Sequence, residues 1–412
     1  MGSKTRAWCA LGRSARLGGL LLVGGIAACG ENPAPNEPTC EDNARVVGRI
    51  VDEDGTERFP DYLIQTFPIE WNMEEVLDDT TTTLVEGFYP VRLQIPEDVT
   101  SVGITLAAPG ARPLLMGISA GDDTFFALSP TQRPLTKANV AWPDAVSVVL
   151  PNNEATTVSG RCLEVWVGAL DAHVDDPAQM YVTSRRGHGD ALNLNFLVSS
   201  ALDVDDDAIL RVAARAARFF EPAFTAGEVS IERVELPPTL SVEEPLEPYL
   251  VDLRGELSDR LSVALVESLT VDDDEHFARF FSPGLPGAPF AGLESSVLRL
   301  AVGEHRDASG IGLQEDFLGD SLAQAVAQML GLFPVTEPSG LDADPIGDTP
   351  QCLARDFDAN DDGVVDAIEC ADDGADNLMF WSWTPGRALH LTEQQLAALR
   401  NHPVVLADGE VR

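Results

Sequence analysis

The chain has 412 residues, with 27 Lys+Arg against 67 Asp+Glu and a formal net charge of −40. So negative a surface repels nucleic acid and anionic headgroups, and no nucleic-acid partner is expected. The charges are dispersed among apolar segments, so for most of them a solvated acidic surface is a sufficient reading.

Lys4, Arg6, Arg13 and Arg16 precede the apolar run Leu17 to Ala28, which is too short for a transmembrane helix. Residues 1–28 read as a signal peptide. The run ends in Ile26-Ala27-Ala28-Cys29-Gly30, which resembles a bacterial lipobox. That resemblance implies an exported protein lipidated at Cys29 and anchored in the cell envelope, with the membrane reached through the lipid. An outer-membrane or surface placement is expected ahead of an inner-membrane one. The simpler alternative is secretory cleavage near Ala28 with a spare thiol. Residues 29–43, including ENPAPNEPT, then form an extended tether. Cleavage after Ala28 removes four basic and no acidic side chains, leaving 23 against 67, a balance of −44.

From 44 to 170 apolar and polar residues alternate in short runs broken by Pro, Gly and Asp, as in 45–51, 89–95, 101–106, 146–150 and 163–167. Short strands at this spacing predict an all-β sandwich. The segment from Tyr89 onward, YPVRLQIPEDVTSVGITL, resembles the pre-peptidase modules of secreted bacterial proteases, which bind surfaces or partners. Of six cysteines, Cys9 leaves with the signal and Cys29 carries lipid. Cys40 and Cys162 bracket this domain, and Cys352 and Cys370 bracket an Asp-rich loop. They are expected to pair in that way, although four cysteines allow three connectivities. An exported location makes disulfides reasonable.

Residues 171–412 read as an α+β domain, so the fold class is multidomain, a sandwich followed by α+β. A buried strand is predicted at 192–199, a helix at 206–220, and strands at 228–235, 261–269 and 296–302. Pro-rich loops occupy 243–248 and 282–289. The six histidines, His173, His188, His276, His305, His390 and His402, form no close pair. His305 lies shortly before the next helix and could approach its cleft, but one imidazole does not make a zinc site. Arg185-Arg186-Gly187-His188 reads as a solvated turn, with anion binding the alternative.

The segment Ser321 to Glu337, SLAQAVAQMLGLFPVTE, has helical apolar spacing at Leu322, Val326, Met329 and Leu330. Asp320 is expected to cap its start and Gly331 to end it. Asp344-Pro345-Ile346-Gly347-Asp348-Thr349-Pro350 and Asn377-Leu378-Met379-Phe380-Trp381 follow. Thr392 and Gln395 then have capping-box spacing, opening a helix over 391–401 with Leu396 and Leu399 inward. In this order the segments resemble a metzincin zinc peptidase domain of the pappalysin type. The signature H-E-x-x-H-x-x-G-x-x-H would lie on Gln324, Ala325, Gln328, Gly331 and Pro334, with Met379 in the Met-turn. The resemblance implies a domain that has lost its chemistry. A Gln amide is a weak zinc ligand beside imidazole, Pro334 cannot ligate, and Ala325 removes the general base.

Between the last two cysteines, Asp358 to Glu369 matches the twelve-residue calcium loop. Asp358, Asn360 and Asp362 supply side-chain oxygens, Gly363 the bend and Val364 its carbonyl. Asp366 acts directly or through water, and Glu369 closes the site in bidentate fashion. A solvated acidic loop is the alternative. The expectation is thus a pseudopeptidase whose cleft binds or scaffolds an unidentified protein or peptide, with structural calcium and no zinc. The alternatives are an active metallopeptidase using other ligands and a structural envelope lipoprotein.

Overall fold

The computed structural model describes residues 40–405 apart from 41–43, 53, 70, 72–75, 78–82, 87–89, 109, 122, 128–138, 142–144, 152, 154–155, 171–176, 243–245, 247–259, 272–275, 283–296, 311, 372 and 383–385. The signal peptide, Cys29, most of the tether, His173 and most of both Pro-rich loops lie outside the described residues.

Alternation with period two gives each strand of the first half one inward face, and two sheets close over it. In one sheet Cys162–Leu170 pairs with Val91–Gln94 and Thr83–Glu86 on one edge and Arg112–Ala120 on the other. The second runs Asn139–Ala141, Ala145–Leu150, Val99–Ala107, Ala178–Arg186, Tyr62–Ile69. Leu93, Ile118, Leu163 and Val165 from the first meet Val102, Ile104, Val148 and Val182 from the second in one core. The Cys40–Cys162 disulfide ties the incoming chain to the start of a central strand.

This first unit extends to Arg186, past the boundary expected at 170. Strand Ala178–Arg186 pairs antiparallel with both Tyr62–Ile69 and Val99–Ala107. Its inward residues Ala178, Met180 and Val182 complete the sandwich core.

At the end of that strand two adjacent arginines hold different parts of the molecule. Arg186 pairs with Asp98 at 2.6 Å and donates to Gly48 O at 2.9 Å and Pro60 O at 2.7 Å, pinning both feet of the hairpin Ile50–Val51/Glu57–Arg58. Arg185 is buried and donates to Gly187 O and Arg400 O, each at 3.1 Å, and to Val405 O. Neither residue sits in a solvated turn.

The second unit is α+β. Its main sheet runs Thr225–Val234, Ala191–Ser199, Leu261–Val266, Leu298–Ala301, Phe280–Phe281, parallel except for the last pair. The first helix, Asp206–Ala217, connects the two leading strands; Ala208 N donates to Asp205 Oδ1 at its N-terminus. The strand expected at 261–269 divides at Glu267, whose carboxylate turns out to pair with Arg306 at 3.0 Å. Thr239–Ser241, Ser268–Val271 and His276–Ala278 form a small side sheet.

Candidate functional site

The core helix spans Glu315–Met329. It starts five residues before Asp320, so the expected cap is corrected: no side chain caps the helix at Gln314, and Glu315 and Asp316 face the positive end of its dipole. Asp320 is buried and accepts from Arg215 Nε at 2.6 Å, tying this helix to the first. A methyl group on Gly319 would overlap the Arg215 stem, so glycine lets the two helices approach. At the other end Leu332 N donates to Ala327 O and Gly331 N to Gln328 O, each at 3.0 Å. That is a Schellman cap, and Gly331 holds the required positive φ of 97°. A Cβ there would contact Val149 of the sandwich.

The structure places the residues of the expected zinc signature on a covered surface. Gln324 is buried and its Nε2 donates to Phe380 O at 2.9 Å. Ala325 is buried, whereas Gln328 and Pro334 are half-buried. Met379 is buried in the same core, and its carbonyl accepts from Val335 N at 3.1 Å. Asn377 Oδ1 accepts from Met379 N at 2.8 Å, and its Nδ2 donates to Gln395 Oε1 at 2.8 Å. Gln395 belongs to the capping box of the final helix, Glu393–Arg400, which forms as the sequence predicts. Leu399 is buried and Leu396 packs against the core.

Asp348-Thr349-Pro350 docks on the same helix. Asp348 accepts from Thr392 Oγ1 at 2.6 Å and from Gln394 N at 3.1 Å, and Thr349 Oγ1 donates to Asp344 Oδ1 at 2.6 Å. Core helix, 377–380 turn, 348–350 segment and final helix are therefore one hydrogen-bonded body.

His305 does reach the core helix, at Ser321. Its Nδ1 donates to Ala301 O and its Nε2 accepts from Ser321 Oγ, both at 2.7 Å, which fixes the neutral tautomer. Burial pushes its pKa down to about 4; the Ala301 hydrogen bond opposes the shift and the Arg279 charge adds to it. The pairing with Ser321 is invisible to local sequence patterns because it joins a turn of 3-10 helix, Gly303–His305, to a separate helix.

The Asp-rich loop folds around its own oxygens. Asp358 Oδ2 accepts from Gly363 N at 3.1 Å, Asn360 Oδ1 from Asp362 N at 3.0 Å, and Asp362 Oδ1 from Val364 N at 2.9 Å. Asp366 Oδ1 accepts from Glu369 N at 3.0 Å, and Glu369 accepts from Ala359 N at 2.9 Å and Asp366 N at 3.1 Å. Asp361 and Gly363 take positive φ, 58° and 81°. Among the described residues no three His, Cys, Asp or Glu side chains converge as a metal cluster, since these carboxylates face backbone amides. The donor chemistry nonetheless suits a hard cation, being all oxygen and mostly anionic.

Two ties fix this loop to the body. The buried Cys352–Cys370 disulfide closes it, as the spacing predicts. Buried Val365 donates to Pro338 O at 2.9 Å and accepts from Trp381 Nε1 at 2.7 Å. No protein-family model and no curated protein matches this chain.

Proposed function

We propose that the second unit is a degenerate metzincin-type peptidase domain acting without catalysis, as the binding or scaffolding part of an exported protein anchored by lipid on Cys29. The observation that carries this reading is the Gln324 side chain. At the position of the first zinc ligand stands an amide committed to the Phe380 carbonyl, within the turn that would carry the Met-turn methionine. The next position is the methyl of Ala325, which takes no proton from water. The order of strand, helix, strands and core helix fits the same ancestry, as does docking of the 348–350 segment on the final helix. With Gln324 and Ala325 buried, a partner would engage the margin at Gln328 and Pro334 rather than the helix floor.

Asp358, Asn360, Asp362, the Val364 carbonyl, Asp366 and Glu369 are the residues proposed to hold calcium. When bound, the ion would neutralise these carboxylates and stiffen the segment that Val365 joins to Trp381. Two disulfides fit an oxidising compartment. Among the described residues no helix is long and apolar enough to cross a membrane.

Metal analysis of purified full-length protein after mild chelation, together with a casein cleavage assay, tests this reading. Calcium without stoichiometric zinc and without cleavage is expected. One tightly held zinc per chain, with cleavage blocked by phenanthroline, would overturn it.

A further inference from the structure

Where the two units meet, Arg185 of the sandwich holds the segment that follows the final helix. Arg185, on the last sandwich strand, is buried and ends among carbonyl oxygens: Gly187 O and Arg400 O at 3.1 Å, and Val405 O. Arg400 closes the final helix, so the guanidinium sits at the negative end of that helix dipole. Gly189 closes the joint from the other side, where a methyl group would overlap both Val405 O and the Arg185 guanidinium.

Inside this joint lies His402, fully buried. Its Nδ1 accepts from Val404 N at 3.1 Å, so in the neutral ring the proton is on Nε2, which is buried without a hydrogen-bond partner. A second proton would have to go on Nδ1, breaking the Val404 bond, and would place a cation beside Arg185. The charged group that acts on the ring is Arg185 from the sandwich strand; the final helix meets the joint with the carbonyl of Arg400.

We propose that the Arg185–His402 joint is an acid-sensitive latch: protonation of His402 beside Arg185 breaks the hold of that guanidinium on the Arg400 and Val405 carbonyls and releases residues 401–405 from the last sandwich strand. Burial first, and the Arg185 charge second, hold the His402 pKa well below its ordinary value. The His402 ring is then neutral in both the closed and the opened joint above about pH 6.5, the ordinary histidine value, and the joint stays at full strength there. As the pH falls below that value the opened joint binds a proton that the closed joint refuses, so acid favours opening. The hydrogen-bonded sandwich core, including Val148 and Val182, carries no such group and stays closed.

Hydrogen exchange of the full chain at pH 7.5 and 5.0, corrected for intrinsic rates, reads this directly. Amides of Asn401, His402, Val404 and Val405 and of 185–189 are expected to lose at least tenfold protection at pH 5.0, while those of 102–107 keep theirs. His402→Asn, which cannot take the proton, should show no such loss. Unchanged protection at 401–405, or an equal loss in His402→Asn, would overturn the latch. Should that variant not fold, proton NMR of the wild-type ring decides: the latch requires His402 to titrate in the window where 401–405 opens, and a ring that stays neutral through the opening rules it out.

Discussion

Gln324 Nε2 and the Phe380 carbonyl lie 2.9 Å apart in a buried core, so the helix and the 377–380 turn are joined there by an amide. Replacing Gln324 by Ala leaves a buried carbonyl unsatisfied, which costs about 1–3 kcal/mol. Gln324→Ala should therefore lower the denaturant midpoint without altering the far-UV spectrum. Stability equal to wild type would mean that the bond does not hold the turn.

The proposed calcium site predicts a linked stability change. A ligand that binds the native state alone, at a hundredfold excess over its Kd, adds about 2.7 kcal/mol. Wild-type protein should melt higher in calcium than in chelator, and Glu369→Ala should erase that difference. A difference preserved in the variant would remove Glu369 from the site.

The loop disulfide makes a separate contribution. Cys352 and Cys370 are 18 residues apart, and closing a loop of that size stabilises by about 3 kcal/mol in the chain-entropy account. The double variant Cys352→Ala/Cys370→Ala should lose stability on that scale in chelator, while sandwich amides keep their exchange protection. Global unfolding at room temperature would show that the second unit depends on this bridge entirely.

His305 predicts an acid limb of stability. Its folded pKa of about 4 lies below the unfolded value of about 6.5. Both states are neutral above pH 6.5, and stability is complete there. As the pH falls toward 4 the unfolded chain gains a proton that the native ring resists, a loss of up to about 3 kcal/mol. His305→Asn should be less stable at pH 7 yet show a shallower decline from pH 6.5 to 4.5. An identical slope would place the acid sensitivity elsewhere. Exchange at 301–305 separates it from events at His402.

Elements specified by nearby residues were legible in the sequence. Thr392 and Gln395 lie three apart and cap each other, and Gly331 ends its helix through its own backbone. The disulfide pairing followed from where the cysteines fall in the chain. What escaped depends on distant partners. Asp320 looks like a cap because Asp caps helices, but Arg215, 105 residues away, recruits it into the core. Residues 178–186 fall past the expected boundary because nothing local in the sequence says which sheet that strand joins. Arg185 reads as part of a solvated turn until the fold brings carbonyls to it, and the sequence places His305 near the helix without naming Ser321 as its partner.

Arg185 and Arg186 serve different halves of the chain from one strand end, where the register against Val99–Ala107 shifts between them. The junction is thus indexed rather than flexible. Inserting one residue within Ala178–Arg186 would exchange the two guanidinium groups, losing the hairpin clamp and the hold on Arg400 together. Lengthening the connection after Gly189 would leave both in place. The two halves can drift apart in sequence only while that phase is kept.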